Sequence, residues 1–206
     1  MADTAPIRRT QQERKAESER QILRAAMRIF ARQGYLRTTL NQVGEDAGYT
    51  GGLVSHRFGS KARLLKAVIT DSCARFLQDQ IGASLRTESA EAALKNYIAT
   101  YMEEVTLRES DLRAIYVIMG EALGDDEEIQ QAVAAFNQRT RGCITSIVQR
   151  GIDNGEFNKG IAAEDAGVLI MGLLRGVVMQ YLFDREALDI TRMVPQVQLA
   201  ALGSLR

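Results

Sequence analysis

The chain has no tryptophan, one histidine, two cysteines and two prolines among 206 residues, and its 26 basic and 26 acidic side chains leave no net charge. Each shortage excludes something. Two cysteines cannot build a disulfide framework, and Cys73 and Cys143 both lie in apolar helical pattern, so they read as small buried thiols of a reducing compartment. With His56 as the lone imidazole, a Ser-His-Asp or Cys-His set has one candidate base, in the least enclosed part of the chain. Ligand clusters of zinc type and glycine-rich phosphate motifs are missing too, so no catalytic residue, no metal and no cofactor is expected. The N-terminus has no apolar h-region, which argues against export. The most apolar run, Gly167 to Phe183, is shorter than the roughly 20 residues of a membrane-spanning helix and contains Arg175. It reads as a buried helix of a cytoplasmic protein with no membrane partner.

What is present is an ordinary globular composition, 46% hydrophobic and 25% charged, with enough length for a sizeable core. The zero net charge hides a separation. Residues 1–66 hold 13 basic and 6 acidic side chains, a balance of +7, and residues 67–206 carry the compensating −7. Such asymmetry points to a polyanion-binding module joined to a part that does not bind polyanions, although a solvated basic face would give the same count.

Helical periodicity runs through nearly the whole chain, and no alternating β-branched run bounded by turn signals appears, so the fold class is all-α. Residues 1–15 are expected to form a flexible basic arm. The first helix shows Ile22, Ala25, Ala26, Ile29 and Phe30 as one apolar stripe. It could start at the box Thr10–Glu13 or at Ser18–Gln21, and Gly34 is expected to end it as a left-handed cap. Thr39 with Gln42 opens a short second helix that stops at Ala47-Gly48. After a tight link comes a third helix from Gly51 to Phe58, and Ser60 caps a long fourth. Two short helices around a glycine-containing turn make a helix-turn-helix, expected over residues 16–66. Further helices are expected near 89–107, 111–123, 125–154, 163–183 and 189–205, where residues 67–206 would form a C-terminal helical domain. The carboxylates of Asp125 to Glu128 suit the first turn of their helix better than a metal.

The stretch Arg20 to Ile69 resembles the DNA-binding domain of TetR/AcrR-type transcriptional regulators. The family pattern falls on Ile22-Leu23, Ala25-Ala26, Phe30, Gly34, Thr38-Thr39, Ala47-Gly48, Phe58 and Ser60-Lys61, each on the element type it needs. There are departures: Val43-Gly44 stands where the family commonly has Ile-Ala, Ser55 replaces a tyrosine that touches the DNA backbone, and Gly51-Gly52 removes side chains from the start of the reading helix. The stretch Gly167 to Ile190 is also similar to the second-last helix of such regulators.

The resemblance implies a double-stranded DNA partner with a near-palindromic operator, a small-molecule effector, and a second copy of the chain. A helix in the major groove reads base edges near its N-terminus while helix starts and cations hold phosphate. The DNA-binding candidates are Thr39, Asn41, Thr50, Gly51, Ser55, His56 and Lys61. Among them Asn41 suits an adenine edge or plain solvation, and Arg57 is either a further contact or a surface ion-pair partner. Phe76, Tyr97, Tyr101, Met102, Tyr116, Met119, Phe136 and Met171 are able to line an effector pocket, or equally to be core, and such a lining implies a mainly apolar ligand. Gly172, Gly176 and Met179, with Gly167, are candidates for a dimer interface or for close packing within one chain. The function expected is that of a ligand-released repressor. The alternatives are a helical ligand-binding or scaffold protein that has lost DNA binding, or a small helical enzyme.

Overall fold

The computed structural model describes residues 10–84 and 89–206, with the side chains of Cys73 and residues 76–84 outside that description. The side chains of Cys73 and Phe76 and the first nine residues of the expected arm therefore lie outside the described residues. Within them the chain forms α1 (Gln11–Gln33), α2 (Leu40–Asp46), α3 (Gly51–Phe58), α4 (Lys61–Ser84), α5 (Ala90–Leu107), α6 (Glu109–Glu121), α7 (Glu127–Asp153), α8 (Ala163–Phe183) and α9 (Ile190–Gly203).

Of the two possible starts for α1, the earlier one operates. Thr10 Oγ1 accepts from the Glu13 amide at 3.2 Å and the Glu13 carboxylate accepts from the Thr10 amide at 2.7 Å. Such a cap stabilises a helix start by about 1 kcal/mol, so residues 11–15 belong to α1 and not to a flexible arm. The predicted stripe is the buried face of α1, Phe30 included. At its end Gly34 has φ 81° and ψ 167°, a positive φ that favours glycine, but not the left-handed helical cap expected there.

Two cores result. One gathers the inner faces of α1 to α4, from Ile22 through Val43 and Val54 to Val68 and Ile69, together with Ala114, Ile115 and Ile118 of α6 and Ile129 of α7. The other is built from α5, α7, α8 and α9 around Tyr97, Ile98, Ile144, Ile170, Leu174 and Val197. The first core does not stop near residue 66, and α4 is not its sole link to the rest. Helix α6 faces both ways, since its Leu112 and Tyr116 pack on the second core.

Helix α8 corrects the expectation of a buried helix. It spans 21 residues and is long and apolar enough to cross a membrane by length and composition. Only one side is covered. Gly167 faces α7, where a Cβ would stand 2.5 Å from Thr145 Oγ1, so this glycine serves packing within the chain. Leu169 (66% exposed), Gly172, Gly176, Met179 and Phe183 (80% exposed) recur at three- and four-residue spacing along the opposite, open side. Periodicity reads an apolar face in the same way whether its cover is the same chain or another.

The start of α5 is held from a distant segment. The exposed Glu156 carboxylate accepts from the amides of Ala90 (2.9 Å) and Glu91 (3.0 Å) and from the Ser89 hydroxyl (2.8 Å). The two amides hold its pKa down at about 2, against 4.5 for a free glutamate. A depressed folded pKa contributes stability that is fully present above the unfolded value and is lost as pH falls through the folded one. Melting temperatures of Glu156→Gln and the parent chain should therefore differ above about pH 4.5 and converge as pH falls toward 2.

Candidate nucleic-acid interface

Helices α2 and α3 are set at their angle by glycine. A Cβ on Gly44, inside α2, would lie 2.7 Å from both the Thr50 carbonyl carbon and the Gly51 nitrogen, so bare backbone is what fits there. A Cβ on Gly51 would fall onto Asn41 Oδ1 and within 2.8 Å of Asn41 Cα. The two short helices thus touch backbone to backbone. The side-chain space of Gly51 is taken by Asn41, so packing between the helices accounts for glycine there. Gly52 is different, being exposed with only Thr50 Oγ1 at 3.8 Å. Between the helices Gly48 takes φ +75°, and the Tyr49 amide closes the turn on Gly44 O at 2.8 Å. The Tyr49 hydroxyl donates to Gln21 Oε1 at 2.8 Å, and Arg28 pairs with Asp46, so the turn between the two helices is tied to α1 at two points.

The predicted contact residues mostly lie open. Thr39 and Thr50 are the exposed N-caps of α2 and α3, accepting from the amides of Gln42 and Leu53. Asn41, Ser55 and His56 are exposed as well. Lys61 is not a free cation: its ammonium donates to Tyr35 O (3.2 Å) and Leu36 O (3.1 Å) and sits 4.4 Å from the centre of the Tyr35 ring. Two of its three protons are spent on the turn after α1. Lys61→Ala should accordingly lower stability by about 1 kcal/mol, the worth of charge-assisted bonds discounted for partial exposure, and a urea melt would register it. Arg57 forms no ion pair among the described residues, which removes its salt-bridge reading. In the segment from Leu36 to Lys66, neither Arg37, Arg57, Lys61, Arg63 nor Lys66 has a carboxylate within 4.0 Å among the described residues, whereas Arg28 and Arg32 of α1 are both engaged by Asp46.

Behind this face lies a contact that the sequence reading missed. Glu121, at the end of α6, accepts from the amides of Tyr35 (2.7 Å) and Leu36 (3.3 Å), in the turn that leads into α2. A side chain on Gly34 would collide with its carboxylate. Beneath the other side of α6 is a cleft that opens partly to solvent. Tyr101, Tyr116, Met119 and Phe136 of the predicted pocket set line it, with Leu112 and Ile115. Tyr97, Met102 and Met171 do not; they are fully covered core residues. Missing from the prediction were its polar members, Ser72, Arg75, Glu104, Arg108, Asp111, Thr140 and Arg175. Arg175 had left a signal in the sequence as the one charge inside the apolar run of α8.

Comparison with known proteins agrees with this arrangement. The family described as "Bacterial regulatory proteins, tetR family" matches residues 22–68, from the first buried residues of α1 into α4. Residues 22–68 belong to the TetR family of regulatory domains. Likeness to known transcriptional regulators extends over most of the chain. The HTH-type transcriptional regulator TtgR of Pseudomonas putida is 26% identical over 189 residues, which cover 89% of each chain. Two solved structures share the fold. The transcriptional regulator FadR from Bacillus subtilis, in complex with stearoyl-CoA, superposes with a TM-score of 0.80 at 18% identity, covering 91% of this chain and 99% of its own. SmeT, the repressor of the Stenotrophomonas maltophilia multidrug efflux pump SmeDEF, gives 0.74 at 23% identity, with 91% and 89% covered.

Proposed function

We propose that the protein is a cytoplasmic, homodimeric transcriptional repressor that binds a near-palindromic operator and is released by a small molecule in the α6 cleft. The observation that carries the DNA reading is the rigid α2–α3 unit, whose exposed Asn41, Ser55 and His56 lie among cations without carboxylate partners. Ser55 and His56 would read base edges. Thr39, Thr50 and the remaining N–H of Lys61 would meet phosphate, and Gly52 rather than Gly51 would allow close approach. Family membership supports a regulator over an enzyme, and FadR and SmeT are a ligand-bound regulator and a repressor of the same fold.

Dimerisation is supported by the open stripe of α8. Covering it with a second copy would bury Leu169, Met179 and Phe183, while Gly172 and Gly176 would let the backbones approach. Two reading helices would then meet successive major grooves, about 34 Å apart or a multiple of it. Release follows from α6. A ligand that prefers one position of α6 acts on the first core through Ile115 and on the α1–α2 turn through Glu121, and so changes how the reading helices are spaced.

Selection of bound fragments from sheared genomic DNA tests this reading. Enrichment of a short, near-palindromic sequence is expected. Recovery of no enriched sequence would reject DNA regulation and favour a ligand-binding protein that has lost DNA binding.

A further inference from the structure

The effector cleft was expected to take a mainly apolar molecule, and its charged residues add a further requirement. Arg75 is shared by Asp71 (2.9 Å) and Asp111 (3.6 Å), and Arg108 is paired with Glu104 (3.0 Å). Arg175 has no carboxylate within 4.0 Å among the described residues. It is nevertheless fixed in place. Its Nη2 donates to Thr140 Oγ1 at 3.3 Å, and that buried hydroxyl can accept because its own proton goes to Phe136 O at 3.0 Å. The guanidinium lies 5.7 Å from the centre of the Phe136 ring.

The neighbouring tyrosines cannot neutralise it. Burial raises the pKa of both Tyr101 and Tyr116, so both stay uncharged at neutral pH. Two further polar atoms of the same lining, Ser72 Oγ and Arg75 Nε, are buried without a hydrogen-bond partner among the described residues. Buried polar groups are nearly always satisfied, and leaving one unmade costs about 1–3 kcal/mol, so orphaned donors gathered around one cleft mark a place built for an acceptor. Leu112, Ile115 and Met119 give the same cleft an apolar part.

We propose that the cleft is selective for organic anions: a carboxylate head accepting from Arg175 and from the unpartnered donors, with an apolar body along Leu112, Ile115 and Met119. This rests on the effector-site reading given above and names the chemical class of the ligand. An uncharged molecule of the same shape would leave the guanidinium and Ser72 unanswered.

Isothermal titration of the full-length protein with decanoate and with 1-decanol separates the two cases. Decanoate should bind at least about tenfold more tightly, the margin that a charge-assisted bond gives. Arg175→Gln should erase that preference by weakening decanoate alone, and Arg175→Lys should keep most of it. Equal binding of acid and alcohol by the parent chain, no binding of the acid at millimolar concentration, or loss of the preference in Arg175→Lys would overturn the proposal. Should Arg175→Gln fold poorly, the parent comparison and the lysine variant still decide. Operator binding measured in the same samples keeps the two readings apart. Tight decanoate binding without DNA release would sustain the anion site and reject its regulatory role, while DNA binding with equal acid and alcohol affinity would reject the anion site alone.

Discussion

Gly44→Val should lower the stability of the first core by about 2–3 kcal/mol, the upper range for overpacking a site with no room. The β-carbon position stands 2.7 Å from backbone atoms of Thr50 and Gly51, and neither can rotate aside as a flexible side chain would. Accommodation requires α3 to move away from α2, so operator affinity should fall along with the melting temperature. Gly52→Ala is the matching control. That site is open on the α3 surface, where alanine restricts the unfolded chain without a clash. The melting temperature should hold or rise while operator binding weakens, since the added methyl stands where the duplex is proposed to approach. Paired thermal melts and binding titrations separate the two; a Gly44→Val chain as stable as the parent would remove the steric account of the turn.

Glu121→Ala should cost about 2 kcal/mol, because the amides of Tyr35 and Leu36 lose a charged acceptor. The site is half-covered, so water replaces part of what is lost, and the figure stays near the low end for two charge-assisted bonds. Hydrogen exchange locates the effect. Protection should collapse at Tyr35 and Leu36 first, well before the amides of α1. Because these bonds join the cleft-lining helix to the turn before α2, the variant should also respond to cleft ligands with a smaller change in operator affinity. Unaltered exchange at both amides would break the link between α6 and the reading unit.

Much of this organisation was legible in the sequence for identifiable reasons. Capping residues act within one turn of the chain, so Thr39 with Gln42 and Ser60 marked real helix starts. The α1 stripe was visible because burial repeats with the helix. What escaped depends on contacts between distant segments. Glu121 meets Tyr35 across more than 80 positions, and nothing local distinguishes it from a solvated glutamate. Lys61 looked like a phosphate ligand because its partners are backbone carbonyls of another turn, which leave no trace in residue type. Among pocket candidates, aromatic and methionine side chains at helical spacing were divided between cleft and core by the crossing of helices, which periodicity does not record. The polar cleft residues were missed because a search for apolar lining passes over arginine, even where Arg175 interrupts the most apolar run of the chain.

The central claim, that α2 and α3 present a sequence-reading face to DNA, is tested most directly by titrating the full-length chain against its selected genomic fragment over a range of salt concentrations. The account predicts two chains per site, an affinity that falls steeply and linearly on a log–log salt plot, and binding roughly 10³-fold or more weaker to a scrambled fragment. Equal affinity for the selected and the scrambled fragment, or binding indifferent to salt, would contradict it.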